Sequence, residues 1–312
     1  MSKRTLPRIL QTPAVLLLLV WMLVPLSMTL YFSFIRYVLN SSIRPEWTTP
    51  ALSNWRGFGN YEYVLNARDF WFAVQNSVFI VSSILVITVI LGLGIAVLVN
   101  RSFPGRGIVR VLLISPFFVM PAVNAVLWIN MILDPVLGLQ GIAVSGLNDF
   151  VAGMRDFPVL GGFFSLWPEI EPISFRATQT SSYAVIMMVA WQWTPFAVLI
   201  FMTSLQSEDE SQKEAATLDG ASAWSQFINL TVPHLARPIS IVVMIQSIFH
   251  LSLYAEIEIV SRGNGNKNLP YLIGEFASNN IGAASATGIF AVILANIIAI
   301  FLLRMVGKSL MD

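Results

Sequence analysis

Residues 211–233 read SQKEAATLDGASAWSQFINLTVP, a short polar interruption in a chain that is otherwise mostly apolar. Ser211 is followed three residues later by Glu214, and this capping box predicts that a helix begins there. Gly220 stands where a left-handed residue would close that helix. A second short segment follows, and Pro233 is predicted to stop it. We therefore expect a compact knob of two short helices joined at a glycine, a shape that suits a groove on another protein.

The pattern of this stretch is E-A-A, three residues, G, nine residues, then two branched apolar residues one position apart and P. It resembles the signature loop of binding-protein-dependent ABC importer permeases in both spacing and residue types. The matching positions are Glu214, Ala215, Ala216, Gly220, Leu230, Val232 and Pro233. That family more often has Ile and Leu where this chain has Leu230 and Val232, which is a conservative difference.

The resemblance implies that the stretch is cytoplasmic and forms a coupling helix that docks into an ATPase subunit. The docking residues expected on this basis are Glu214, Ala215, Ala216, Asp219, Gly220, Phe227 and Pro233. Two of them have a structural alternative: Glu214 as a cap of its own helix, and Asp219 as a surface residue of the last turn. Gly220 is expected to be required for geometry, because a side chain opposes a left-handed turn. Phe227 is expected to pack against the membrane-helix ends or the partner.

The composition places this chain in a membrane. Of its 312 residues, 56% are hydrophobic and 11% are charged, whereas a soluble globular chain has about 25% charged residues. The net charge of +1 comes without a basic block, so nothing indicates nucleic-acid binding. Cysteine is absent, which excludes disulfides, thiolate metal sites and thiol catalysis. The two histidines do not form a convincing metal cluster.

Six apolar stretches approach or exceed the roughly 20 residues that cross a bilayer as a helix. The predicted fold is therefore an all-α membrane bundle with a cytoplasmic tail at 1–12 and spans at about 13–35, 72–99, 108–133, 183–205, 239–260 and 283–305. The first stretch follows basic residues, as a signal peptide does, but it is longer than the apolar core of about 7–15 residues found there. It also lacks a clear cleavage site. We interpret it as a retained span.

The orientation follows from basic residues in short loops. The amino-terminal tail and the turn at 100–110 carry six Lys or Arg residues and no acid. Both segments are therefore predicted to be cytoplasmic, and six spans return the carboxyl terminus to the same side. The hydrophilic connection at 134–180 is then periplasmic. The coupling loop at 206–238 is cytoplasmic, although it is net acidic.

Polar residues inside a membrane are expensive and functional by default. Gln246, His250 and Tyr254 recur at four-residue spacing and are predicted to share one face of the fifth span. With residues of the third and fourth spans, they form a candidate path for a polyhydroxylated solute: Asn124, Gln192, Trp193, Gln246, His250 and Tyr254. The alternative is that these groups form hydrogen bonds between helices and hold the bundle together.

Two further features invite a chemical interpretation. Glu256 and Glu258 stand at the outer end of the fifth span, where we expect them to be hydrated; a proton relay is the alternative. Residues 307–309 read GKS, the end of a phosphate loop. However, Leu302 occupies the position of its first glycine, and a membrane helix precedes it. We therefore expect no nucleotide to bind to this chain.

The resemblance extends over Arg110–Asn148 and from Trp191 almost to the carboxyl terminus. It is strongest to the first-type permease of maltose-like, glycerol-3-phosphate-like and polyol importers. Such a permease is a transport subunit and not an enzyme. Its solute is a sugar, a polyol or a derivative. Polyol relatives often carry a T-x-G-G-P-like turn after the fifth span, whereas residues 261–265 here contain no proline.

The same resemblance implies a machine in the bacterial inner membrane. The expected partners are a second homologous permease, two ATPase subunits and a periplasmic solute-binding protein, with 134–180 as its docking surface. No cofactor is expected on this chain, because ATP and Mg act on the ATPase subunits. ATPase closure would push on 211–233 and switch the bundle between inward-facing and outward-facing states.

Two other classes stay open on the sequence alone. An ion-coupled secondary carrier usually has inverted repeats and more spans, and no repeat is visible here. An integral membrane enzyme would need a clustered nucleophile, metal site or acid–base set, and the sequence presents none.

Overall fold

A computed structural model describes residues 5–39, 44–155, 157 and 161–311. The predicted all-α fold is confirmed. Within these residues the only β-type pairings are two isolated bridges, Ile35 with Trp55 and Val38 with Asn280. Lys3 and Arg4, two of the six basic residues that predict the orientation, lie outside the described residues.

The helices follow one another with short connections. Those before the long central loop are α1 (Thr5–Ser33), α2 (Gly59–Asn66), α3 (Arg68–Asn100), α4 (Arg106–Ile114) and α5 (Pro121–Leu127). The loop contains α6 (Leu139–Arg155) and α7 (Gly161–Phe164). The remaining helices are α8 (Ser181–Leu205), α9 (Glu210–Leu218), α10 (Ala223–Gln226), α11 (Val232–His234), α12 (Ala236–His250), α13 (Ala255–Ser261), α14 (Leu269–Ala277) and α15 (Ile281–Met311). Residues 115–118 form a 3₁₀ turn, and residues 128–132 and 227–231 form π-helical turns.

Four helices of the described chain, α1, α3, α8 and α15, are long and apolar enough to cross a membrane. Two bent pairs raise the number of candidate spans to as many as six. The second pair, residues 223–234 together with α12, differs from the predicted fifth span at 239–260, because it includes part of the predicted cytoplasmic coupling loop. The first pair bends by 102° between Phe118 and Pro121. Proline has no backbone N–H and fixes its own φ. The extended residues before Pro121 therefore mark a natural break in the helix.

The region predicted as the fifth span, 239–260, is built from two helices in the structure. α12 ends at His250, and α13 begins only at Ala255. The break leaves carbonyl groups without helical partners, and one of them is satisfied from outside: the Asn268 side chain donates to the Leu253 carbonyl at 2.7 Å. Broken helices at membrane depth need such substitutes.

The chain divides into two compact units. One comprises residues up to 74 together with 269–296, and the other comprises 75–268 together with residues from 297. The core of the first contains Val64, Phe70, Ala73, Leu269, Leu272, Ala283 and Ala286. One core cluster of the second contains Ala96, Ala197, Val198, Phe201, Leu205, Leu235 and Val242. This second cluster joins α3, α8 and α12 around the two ends of the 206–234 segment.

The connection at 134–180 was predicted as a hydrophilic loop, but its first half forms the helix α6. α6 packs one face against the returning chain. The Asn148 side chain exchanges two hydrogen bonds with the backbone of Ile170, at 2.9 and 3.1 Å. Arg155 donates to the Trp167 carbonyl at 2.8 Å. The described part of this connection therefore folds back along α6, and we call residues 134–180 the hairpin.

Candidate functional site

The signature stretch begins with a capped helix, but the cap is a different residue from the predicted one. Asp209 is the N-cap of α9, and its carboxylate accepts a hydrogen bond from the Ser211 backbone N–H at 2.9 Å. The capping-box prediction for Ser211 is therefore wrong, because Ser211 already lies inside the helix. Hydrogen bonds from the Ser211 side chain and backbone N–H lower the pKa of Asp209 below its ordinary value, because they stabilise the carboxylate. Glu214 lies exposed one turn further along.

Gly220 closes α9 as predicted. Its φ is +80°, a left-handed conformation that costs an L side chain energy. The Gly220 N–H donates to the Thr217 carbonyl at 3.1 Å, and the Ala221 N–H donates to the Ala216 carbonyl at 2.9 Å. These two bonds form a Schellman motif. The helix, glycine turn and second helix are thus observed.

The second segment continues further than predicted. Ser222 caps α10 through a hydrogen bond from the Ser225 N–H at 3.2 Å. The chain then passes through the π-helical turn at 227–231 and runs on through Pro233 to His234. The prediction that Pro233 stops the helix is wrong. A proline cannot donate to the carbonyl four residues before it, and the wider π turn accommodates that missing bond. The chain bends after His234 instead.

We call residues 208–234 the elbow, and they are braced from within. Glu208 forms an ion pair with Lys213 at 2.8 Å and accepts a hydrogen bond from the Thr231 hydroxyl at 2.9 Å. The Gln226 side chain donates to the Thr217 hydroxyl at 3.0 Å. These contacts join α9 to the second segment. The two hydrogen bonds could not be predicted from a short-range pattern, because they join residues 9 and 23 positions apart.

The outer surface of the elbow is unusually apolar for a short polar interruption. Leu218 is 89% exposed and Trp224 is 71% exposed. Trp224 stacks on Phe227 with ring centroids 5.7 Å apart, so Phe227 supports the exposed indole. Glu214 and Ala215 are also exposed. Leu218 and Trp224 were not among the predicted docking residues; their signal was a large apolar side chain on either side of the glycine turn.

The elbow is fixed to the membrane helices at both ends. The His234 Nε2 atom lies 3.0 Å from the Ser204 carbonyl oxygen. Leu205 and Leu235 are both buried in the cluster that joins α3, α8 and α12. A displacement of the elbow therefore acts on the ends of α8 and α12 together.

Five of the candidate path residues lie in two groups. Asn124 on α5 donates to the Gln192 side-chain oxygen at 3.0 Å and to the Met188 carbonyl at 3.1 Å. Gln192 in turn donates to the Val119 carbonyl. Both amides are buried. They hold the second half of the first bent pair against α8.

The second group surrounds Trp193. The Gln246 side chain accepts a hydrogen bond from the Thr88 hydroxyl at 2.7 Å and donates to the Trp193 carbonyl at 3.3 Å. His250 packs edge-on against the Trp193 ring at 5.0 Å. Neither ring nitrogen of His250 has a hydrogen-bond partner in the described part of the chain, although the residue is fully buried.

Two predictions about the far end of this region are wrong. Tyr254 does not share the face of Gln246 and His250, because α12 ends at His250 and Tyr254 is exposed beyond the break. Glu256 is not hydrated, because its residue is buried within α13. The structure therefore brings together Trp193, Gln246 and His250, and separately Asn124 and Gln192.

Comparison with known proteins assigns the chain to a family. The family described as "Binding-protein-dependent transport system inner membrane component" matches residues 88–312. A "Probable ABC transporter permease protein y4oQ" of Sinorhizobium fredii is 29% identical over 86% of this chain and 77% of its own length. A "Trehalose/maltose transport system permease protein MalF" of Thermococcus litoralis is 27% identical over 96% of this chain and 92% of its own length.

A solved structure agrees with the architecture. This structure is of a bacterial alginate ABC transporter in complex with alginate pentasaccharide-bound periplasmic protein. One of its chains superimposes with a TM-score of 0.69 at 17% identity, covering 98% of this chain and 96% of that one. At this identity the likeness concerns the fold.

Proposed function

We propose, since this chain belongs to the family of binding-protein-dependent transport system inner membrane components, that it is the transmembrane subunit of an ATP-driven importer for a sugar, a polyol or a sugar derivative. It is a multi-pass transport subunit of the inner membrane. Nothing in the family match supports an ion-coupled secondary carrier. A carbohydrate solute is supported by the relative that is named for trehalose and maltose transport.

The proposal rests on the structure of the elbow. It combines the signature spacing with a rigid interior and an exposed apolar tip formed by Leu218 and Trp224. Such a tip suits a hydrophobic groove on a partner protein. We assign that partner as an ATPase subunit. The complete importer would contain two ATPase subunits, a second homologous permease and a periplasmic solute-binding protein, with ATP and Mg acting on the ATPase subunits.

The proposed topology puts both termini and the elbow in the cytoplasm and the 134–180 hairpin in the periplasm, where the binding protein would dock. ATP-driven closure of the ATPase dimer would then move the elbow. Because Leu205 and Leu235 share one packed cluster, the movement would act on α8 and α12 as rigid bodies. Alternation between inward-facing and outward-facing states would follow.

The exposed tip provides a direct test. We expect Trp224→Ala and Leu218→Ser each to weaken ATPase binding by roughly 2 kcal/mol, which is about 30-fold in affinity, because an interface depends on a few buried apolar anchors. The matched control is Leu166→Ser, which changes a leucine that is 84% exposed in the proposed periplasmic hairpin. The measurement is co-purification of the ATPase and binding by surface plasmon resonance in detergent.

The Leu166→Ser control also tests whether the ATPase binds the elbow and not the hairpin. If Leu166→Ser weakens ATPase binding as much as Leu218→Ser, the assignment of the elbow as the docking element is contradicted. Retention of full ATPase affinity by both elbow variants would contradict it equally.

Within the membrane we propose that some candidate path residues hold the helices together and that others contact the solute. Asn124, Gln192 and Gln246 each form hydrogen bonds with neighbouring segments, which supports a role in holding the bundle, although the Asn124 side-chain oxygen has no partner in the described chain. His250 has two ring nitrogens without partners in the described chain. We propose that His250 meets the solute when the break after α12 opens, with Trp193 and Tyr254 beside it.

The two roles respond differently to substitution. We expect His250→Phe, which keeps the ring contact with Trp193, to raise the apparent KM of uptake by about tenfold through one lost hydrogen bond, with an unchanged melting temperature. Gln246→Leu should lower the melting temperature and leave KM unchanged. Uptake in proteoliposomes and thermal unfolding measure the two effects. An unaltered KM for His250→Phe would remove His250 from the path.

A further inference from the structure

The first part of the 134–180 hairpin lacks charged residues. None occurs between positions 135 and 148, whereas a water-exposed segment of this length would carry about three or four. Its large apolar side chains are nevertheless exposed. Leu137, Leu139 and Ile142 are each between 59% and 81% exposed. This apolar surface has no covering element among the described residues.

The exposed face is not needed to fold the hairpin. α6 packs through its opposite face, where Gly141 and Val151 are buried. The Gln140 side chain donates to the Ile173 carbonyl at 3.0 Å, and Asn148 is fixed to Ile170. Leu139 and Ile142 therefore remain available for something outside this chain.

The apolar face continues directly from a membrane span. Leu137, Leu139 and Ile142 line one groove of about 500 Å³ together with Met131 and Trp128 from the end of the first bent pair. Only six residues separate Ile132 from Leu139, so α6 begins within about 25 Å of the span even if they were fully extended. The turn at Asp134 makes the actual distance between α6 and the span shorter.

That turn is fixed by hydrogen bonds. The Asp134 carboxylate accepts from the backbone N–H groups of Val136 and Leu137 at 2.9 and 2.8 Å. The same bonds lower the pKa of Asp134. Among the polar groups of the lining, the Asn130 side-chain oxygen accepts from Arg176 at 2.7 Å, whereas the Trp128 indole N–H is buried and has no partner in the described part of the chain. What remains open in the groove is apolar and aromatic.

We propose that residues 136–147 lie in the interfacial layer of the bilayer and that a phospholipid acyl chain fills the groove between them and the end of the span. Trp128 and Trp191, which line the groove, have the amphipathic rings that favour this layer. The leaflet follows from the proposed topology and is the outer one. The choice of occupant does not depend on the solute or on the ATPase.

A lipid fits this surface better than a reversibly bound soluble protein. A binding protein leaves after each delivery, and its departure would expose three large apolar side chains to water in every cycle. Lipid covers the same face permanently. The absence of charge over 135–148 also leaves this segment no ion pairs with which to orient a soluble partner.

The test uses the natural absence of cysteine in this chain. A nitroxide label is attached to Leu139→Cys or Ile142→Cys in the assembled importer in lipid nanodiscs. Its collisions with oxygen, which concentrates in lipid, and with a water-soluble nickel chelate are then compared. The matched control is Glu171→Cys, an exposed position of the same hairpin. The parent complex without an added cysteine, treated with the same label, gives the background signal from other subunits.

We expect oxygen to relax the labels at 139 and 142 more than nickel does, and the order to be reversed at 171. Nickel-dominated relaxation at 139 and 142 would mean that this face meets water, and would overturn the proposal. Protection from both reagents would mean that a protein subunit covers it, and would overturn the proposal as well. The size-exclusion elution and an unchanged melting temperature of each labelled complex show that it is folded, so these outcomes are independent of the elbow's role.

Discussion

Gly220→Val is expected to abolish ATP-driven uptake while the membrane bundle stays folded. Gly220 has a φ of +80°, where a β-branched side chain is a severe outlier. An L residue there costs about 1–2 kcal/mol, and the two hydrogen bonds of the Schellman motif would be strained or lost. The second segment would leave α9 in a different direction, and Trp224 would no longer present the same surface as Leu218. Nothing lies within 4 Å of an added Cβ, so the effect is conformational and not steric.

The measurement is ATPase co-purification together with uptake in proteoliposomes. The matched control is Gly220→Asn, since asparagine tolerates the left-handed conformation, and this variant should retain most activity. Combining Gly220→Val with Glu214→Ala removes an exposed contact as well. Normal assembly and transport by that double variant would refute the coupling role of the elbow.

Gly265→Ala is expected to destabilise the chain strongly, by about 3 kcal/mol or more. Gly265 has a φ of +81°, and an added Cβ would overlap the backbone of Thr178. The same turn is tied down on other sides. The Gly265 carbonyl accepts from Ser182 at 3.2 Å, and the preceding carbonyl of Asn264 accepts from Ser181 at 2.8 Å. Relief of the clash would therefore break contacts between the 261–268 turn and the start of α8.

Thermal unfolding of the purified complex measures this effect. Gly153→Ala is the matched control, because an added Cβ there meets nothing within 4 Å and alanine favours a helix interior. The control should leave the melting temperature unchanged or slightly raised. A Gly265→Ala variant that melts with the control would show that the turn can move away from Thr178 at little cost.

Much of the elbow could be predicted from sequence, because its determinants are local. The left-handed conformation of Gly220 followed from its position after a short helical segment, and the helix–turn–helix order followed from the same reasoning. The cap was misassigned because the pattern fits two residues that lie two positions apart: Asp209 is followed three residues later by Gln212, and Ser211 by Glu214. The internal bracing by Glu208 could not be predicted, since its partner Thr231 lies 23 positions away.

The break after α12 was missed for a different reason. Residues 239–260 contain neither proline nor glycine, so no local signal interrupts the apolar run. The break is sustained by tertiary contacts, such as the Asn268 side chain on the Leu253 carbonyl. The position of Tyr254 and the burial of Glu256 both follow from that break, and both predictions failed with it.

Glu208 gives the elbow a property that matters for how such importers diversify. Its carboxylate is turned inward, with the side chain only 6% exposed, whereas Leu218 and Trp224 point outward. If the elbow docks on an ATPase subunit as proposed, stiffness and partner choice depend on separate residues. The outer side chains can then change with the partner while the inner brace stays the same.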